Sequence, residues 1–246
     1  MKKKLLSAMT VAMILLAITQ SAIGESYYSS IDWASSYILN SGFSTYNKPV
    51  VQTFLSREFE NGFGISLFNS LPASAQYVGD NTATEGDLNG WYRHGFARFG
   101  LAYIFMFPDK DTFYKNDVWQ INAEISKEFQ MSELKVTPGF RMEYDLPVDG
   151  TYNRQTTGIY LIPRINLASQ LNDKLSFNLM TKFEIDAGGY GADKALIIFT
   201  APKFSYAITK NLTTNVGINM YFPTIKSERD IRKNQYVTDI GISYAF

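Results

Sequence analysis

The 246 residues contain no cysteine and a single histidine. A chain without cysteine cannot be a disulfide-stapled exported domain, and one His with no Cys leaves no ordinary ligand set for a structural or catalytic zinc. No cofactor is expected. After the N-terminus there is no run of about 20 apolar residues, which excludes a membrane-spanning helix. An excess of positive charge is also missing, since 23 Lys and Arg face 23 Asp and Glu. Nucleic acid is therefore not an expected partner.

The first 24 residues read as a processing segment. MKKK is basic, LLSAMTVAMILLAI is an apolar run too short for a comfortable span, and Ala22-Ile23-Gly24 is a small-x-small cleavage site. A retained anchor is the alternative, but polar Gln20 and Ser21 end the run early. Cleavage after Gly24 leaves 25–246, long enough for one large all-β unit. With Lys2, Lys3 and Lys4 gone, 20 basic residues face 23 acidic ones.

Aromatic residues are abundant, with 18 Phe and 16 Tyr, although the mean hydropathy is slightly polar. A transmembrane β-barrel combines the two, because only every second residue of a spanning strand must be apolar. LKVTPGFRMEYDL sets Leu134, Val136, Pro138, Phe140, Met142, Tyr144 and Leu146 against Lys135, Thr137, Gly139, Arg141, Glu143 and Asp145. LSFNLMTKFEID and LTTNVGINMYF alternate in the same way. A helix would scatter these charges around its circumference, so strands are indicated.

Turn lengths alternate too. Short turns fall at Glu60-Asn61, Gln130 to Glu133, Asn172-Asp173 and Lys210-Asn211, and longer polar loops fall between them. A first count gives eleven strands, whereas a single-chain bacterial barrel with both termini on one side needs an even number. Dividing TEGDLNGWYRHGFARFGLAYIFMF at His94-Gly95 restores parity at twelve. The expected fold is thus all-β, a transmembrane antiparallel up-and-down barrel of about 12 strands spanning 25–246. Pro138, Pro163 and Pro202 remove ladder hydrogen bonds mid-strand, and bulges or bends are expected there.

The terminal strand QYVTDIGISYAF places Tyr236, Ile240, Ile242, Tyr244 and Phe246 on one face. It has to pair with the first strand, since an open edge cannot be left in lipid. This pattern resembles the signal by which bacterial outer-membrane barrels are recognised for assembly. The resemblance implies a Gram-negative outer-membrane location, with membrane lipid and the assembly machinery as partners.

If the apolar face meets lipid, the other face lines the interior. The register puts Arg98, Lys135, Arg141, Arg164, Lys182 and Lys203 inside, with Asp32, Glu124, Glu128, Glu143, Asp145, Glu184, Asp186 and Asp239. The residues expected to line a pore are Arg98, Glu124, Arg141, Glu143, Arg164, Lys182, Glu184, Lys203 and Asp239. A barrel of about twelve strands is wider than the eight that side chains fill. Opposed acidic and basic residues would suit small zwitterionic or polar solutes. The plainer alternative is that the charges pair and plug the barrel, leaving a non-conducting structural or surface-binding protein that acts through its outer loops.

No enzyme is indicated. His94, in WYRHGFARF, lies at the proposed turn with no Ser two residues later, unlike the His-x-Ser of outer-membrane phospholipase. Glu143/Asp145 and Glu184/Asp186 are read as lumen carboxylates rather than acid/base pairs. GGYGADK opens no helix and lacks the Lys-Ser/Thr ending of a phosphate loop. The charged PTIKSERDIRKN is read as a solvated loop.

The whole plan resembles the small monomeric twelve-stranded porins, such as those for oligogalacturonate and sialic acid. The resemblance rests on length, terminal strand and the short-turn/long-loop rhythm, and it implies passive diffusion of small hydrophilic solutes. Lumens of that family are rich in Arg and Lys, whereas this one carries at least as many acids. Between Tyr37 and Asp145 the order SSYILNSGFSTYNKPVVQ, ENGFGISLFNS, TEGDLNGWY, GLAYIFMFP also resembles a family of uncharacterised proteobacterial outer-membrane proteins.

Overall fold

Strict period-two alternation and very short reversals at one end build a continuous antiparallel meander. The computed structural model describes residues 26–38, 44–46, 48–73, 85–106, 117–148, 157–187, 195–224 and 234–245. Residues 1–24, expected to be a processing segment, GGYGADK, most of PTIKSERDIRKN and Phe246 lie outside the described residues.

Among the described residues fifteen strands occur in the order β1 (Ser26–Ala34), β2 (Tyr37–Ile38), β3 (Ser44–Tyr46), β4 (Val50–Glu58), β5 (Phe63–Pro72), β6 (Glu85–His94), β7 (Ala97–Met106), β8 (Val118–Ser126), β9 (Phe129–Met131), β10 (Leu134–Pro147), β11 (Gly158–Gln170), β12 (Leu175–Ala187), β13 (Ala195–Ala207), β14 (Leu212–Pro223) and β15 (Gln235–Ala245). β2 and β3 form a separate two-stranded ribbon, and β9 prolongs β8 along β10. The remaining twelve close into a barrel. Closure is made by β15 on β1, from Tyr28↔Ala245 to Ala34↔Asp239. The C-terminal strand is therefore a wall stave, paired with β14 from Gln235 to Tyr244 and with β1 from Asp239 to Ala245, since lipid leaves no place for an open edge.

The division at His94-Gly95 is where the chain turns. β6 and β7 pair up to His94↔Ala97, and Gly95 takes a φ of +59° in the two-residue reversal. That left-handed value suits a tight hairpin and is easy only for glycine. Both termini of the barrel lie at the short-turn end.

Of the bulges or bends expected at the prolines, no bulge that shifts the register is formed. The β11–β12 ladder skips Ile162 and Pro163, and the β13–β14 ladder skips Ala201 and Pro202, but each resumes in the same register. Opposite Pro138 the β8 strand breaks for two residues before β9 resumes, again without a shift. Each proline lacks the N–H for one ladder bond, and the pairing beyond it continues in the same register. The side-chain alternation on either side survives, and with it the distinction between the two faces.

The outward face is apolar. Ile31, Leu101, Ile121, Ile240 and Ile242 are all exposed. Aromatic pairs stand at both ends of this band. Tyr103–Trp119, with ring centroids 4.6 Å apart, and Phe222–Tyr236 lie toward the long-loop end. Phe63–Tyr92 and Phe177–Phe204 lie toward the short turns. An apolar belt between two aromatic girdles is the signature of a barrel that crosses a bilayer.

Candidate functional site

Directly paired residues in an antiparallel sheet share a face, so the registers trace the interior from strand to strand. Arg98 pairs with Glu124, Glu124 with Arg141, Asn122 with Glu143 and Gln120 with Asp145. Gly139 pairs with Arg164, Arg164 with Lys182, Asn178 with Lys203 and Gly217 with Asp239. All nine residues expected to line a pore thus lie on the inner wall.

They meet in ion pairs. Glu124 accepts from Arg98 Nη2 at 3.1 Å and also from Arg164 Nη2. Arg141 Nη2 lies 2.6 Å from Glu143 Oε1 and donates to Gln120 Oε1 at 3.2 Å. Gln120 Nε2 in turn donates to Asp145 Oδ1 at 2.9 Å. Lys182 Nζ is 3.4 Å from Glu184 Oε2. Lys203 Nζ lies 3.5 Å from Asp239 Oδ1 and 4.0 Å from Asp32 Oδ1. The pairing is uneven in depth: Glu124 and Glu143 side chains are 7% exposed, while the guanidinium-bearing chains of Arg98, Arg141 and Arg164 remain a quarter exposed. The acids are set back in the wall and the basic groups reach the lumen. Lys135 and Glu128 pair at the short-turn rim, both half exposed.

Sequence reading assigned no residue of β4, β5 or β6 to this wall. On β6, Glu85, Asp87, Asn89, Trp91 and Arg93 face inward, since they pair with Ser70, Phe68, Ser66, Gly64 and Arg98. Their facing was obscured because Gly86 and Gly90 occupy the lipid side, where apolar residues are looked for, and Trp91 sits inside. The alternation Glu85-x-Asp87-x-Asn89 was the available signal. Trp91 is admitted because Gly64 opposite has no side chain: a Cβ there would fall 2.2 Å from the indole. Its Nε1 donates to Glu58 Oε2 at 3.2 Å, and Arg93 Nε lies 2.9 Å from Glu58 Oε1.

The lumen is narrowed from one side. Tyr37 and Ile38 of β2 turn inward and join Ala34, Val50, Ile197, Phe199, Tyr221 and Val237 in one buried apolar cluster. The Tyr37 hydroxyl donates to Glu85 Oε2 across the gap. Among the described residues the space left includes a cavity of about 620 Å³ lined by Asp87, Glu143, Asp145, Glu184, Arg98 and Arg141 among others, and another of about 780 Å³ toward the short turns, lined by Lys135, Lys203 and Asn215.

His94 is exposed at its turn and pairs only with Ala97 in the ladder. Among the described residues no group of His, Asp or Glu is arranged to hold a metal ion. Tyr236, Ile240 and Ile242 face outward and are exposed, and Tyr244 follows on the same face.

A closed twelve-stranded barrel with an apolar exterior and a charged interior defines the class of outer-membrane β-barrels. The sequence matches no protein-family profile and no curated protein. Solved structures of similar fold include the NanC porin, at a TM-score of 0.56 and 12% identity, over 89% of this chain and 98% of that one. The KdgM porin in complex with disordered oligogalacturonate gives 0.51 and 12%, over 90% and 99%. The translocator domain of the autotransporter NalP from Neisseria meningitidis gives 0.52 and 9%, over 98% and 95%. The fold is that of the small twelve-stranded outer-membrane porins, and it accords with a location in the outer membrane.

Proposed function

We propose that this chain is a passive outer-membrane channel for small hydrophilic solutes and not an enzyme. The observation that carries this reading is the interior itself. It is lined by Arg98, Arg141, Arg164 and Lys203, whose side chains stay partly exposed, and by the more buried Lys182, and it includes cavities of about 620 and 780 Å³. A purely structural barrel has no need of such residues, since removing charges from water costs several kcal/mol per ion unless pairing repays it. Fold likeness to porins supports the same reading. Membrane lipid, the barrel-assembly machinery and a small polar solute are the partners it implies.

One observation favours a second reading. The apolar cluster around Tyr37 and Ile38 occupies part of the long-loop half of the lumen, as a plug would. A barrel closed in this way would act through its loops, without conduction. Planar-bilayer recording of the refolded 25–246 chain separates the two. Discrete, solute-interruptible openings are expected; silence from a barrel shown to be folded and inserted would reject the channel.

A further inference from the structure

The cavity toward the short turns is built from a different chemistry than the one toward the long loops. At about 780 Å³ it lies within the range of small-molecule sites, roughly 300–1,000 Å³. Ser176 pairs with Ser205 and Ser205 with Asn215, so one rung of hydroxyl and amide groups crosses β12, β13 and β14 on its wall. Asn178 and Ser243 add another amide and another hydroxyl beside that rung. Asn215 is only 6% exposed, and its Oδ1 accepts no hydrogen bond among the described residues. A buried amide oxygen without a donor is costly, and here a donor can reach it from the lumen. The Tyr28 ring, 39% exposed, lines the same cavity and is backed by Phe54 with centroids 6.0 Å apart. The ionisable groups of the lining are Lys203, Lys135 and, on an exposed turn, Glu133. Lys203 Nζ stands 3.5 Å from Asp239 and 4.0 Å from Asp32, and Lys135 Nζ stands 3.1 Å from Glu128. One level further in, Glu124 takes both Arg98 and Arg164, and Glu58 takes Arg93. The basic groups of this half of the wall are thus matched by acids, and neither sign dominates it.

We infer that this cavity is a binding site for an uncharged polyhydroxylated solute, a neutral sugar or polyol, held by the Ser176, Ser205 and Asn215 rung and by the Tyr28 ring. The inference rests on the channel reading and adds the solute class and the place where it pauses. A hydroxyl both donates and accepts, as do the serines and the two halves of an asparagine amide. A polyol can therefore donate to Asn215 Oδ1 and accept from a neighbouring group with the same molecule. A carboxylate only accepts and leaves Oδ1 unanswered. It also meets Asp239 and Asp32 as it nears Lys203, whose charge those two acids already offset. The apolar C–H face of a sugar ring has Tyr28 to rest on, a contact that needs no charge. Neutral hydroxyl-bearing solutes gain every one of these contacts and lose no hydration of an ion in making them.

The test is single-channel recording of the refolded 25–246 chain in about 0.1 M KCl, where fixed charges act over about 10 Å. Solutes are added on the short-turn side, with orientation read from protease access to the long loops. Glucose and myo-inositol should each interrupt the current at a concentration about tenfold below that of glucuronate, the factor expected from one like-charge approach in a partly screened space. Asn215→Ala should raise the half-blocking concentration of glucose about fivefold, as for one lost hydrogen bond. Tyr28→Ala should raise it as well; if either variant does not fold, the other and the wild-type comparison of solutes still decide. An open channel that glucuronate blocks as well as glucose does, or that glucose and myo-inositol fail to block, overturns this inference and leaves the channel standing. Glucose block that neither substitution moves does the same. Absence of conductance in an inserted barrel overturns both.

Discussion

Glu124 accepts from two guanidinium groups at once, Arg98 on one neighbouring side and Arg164 two strands away, and it is nearly buried between them. Two cations so close are tolerated because one carboxylate is shared. Glu124→Gln should leave them facing each other, at a cost of about 1–3 kcal/mol for the charged donors left without an ionised acceptor. The variant should unfold at lower denaturant than wild type while the barrel still forms, and its reversal potential in a KCl gradient should move toward chloride. An unchanged reversal potential would mean that these guanidinium groups do not face the ion path. Gly64 offers a stability test at the same scale. Its Cα side is filled by the Trp91 indole, so Gly64→Ala must displace the ring and break its bond to Glu58. A loss of about 1–3 kcal/mol is expected, as for overpacked cores, with a change in tryptophan emission traceable to Trp91 because Trp33 and Trp119 face outward.

At the scale of the element, the strands after Lys135 were legible because their apolar members, such as Leu134, Phe140 and Met142, alternate with charges, and a lipid-facing wall has no other way to be written. β6 was less so. Its lipid face carries Gly86 and Gly90, so the periodic signal that separates inside from outside is weak there, and its five lumen residues were recovered only through pairing with β5 and β7. The prolines were legible as interruptions but not in their outcome, since whether a ladder slips or skips depends on both neighbours holding register. β2 was not foreseen at all. A segment as short as Tyr37–Ile38 has no period to read, and only its burial against Val50, Ile197 and Tyr221 reveals that it folds inward. If it narrows the path, replacing Tyr37 and Ile38 together by Ala should raise single-channel conductance and leave the barrel's heat-modifiable migration in gels intact. Conductance equal to wild type would place the narrowest point elsewhere.

For the whole molecule, one rule governs both environments: each residue along a stave exchanges lipid for lumen at the next position. β15 makes this testable on adjacent residues. Ile240 is half exposed on the outer face, while Asp239 lies inside against Lys203 and accepts from Asn219 Nδ2 at 3.1 Å. Ile240→Arg puts a cation into hydrocarbon and should cost about 2–4 kcal/mol if the site is near the bilayer midplane. The loss should be read as reduced folding free energy in lipid vesicles. Asp239→Asn should cost less, because the amide can keep the contact with Asn219, yet it should shift ion selectivity toward anions by removing the nearer of the two carboxylates beside Lys203 and leaving Asp32. Ile240→Arg should leave selectivity untouched in whatever fraction inserts. The two substitutions thus dissociate stability from permeation at neighbouring positions. The reverse pattern, with selectivity moved by Ile240→Arg and stability lost only in Asp239→Asn, would require β15 to be turned over by one residue. Every partner read from it, on β14 and on β1, would then exchange faces as well.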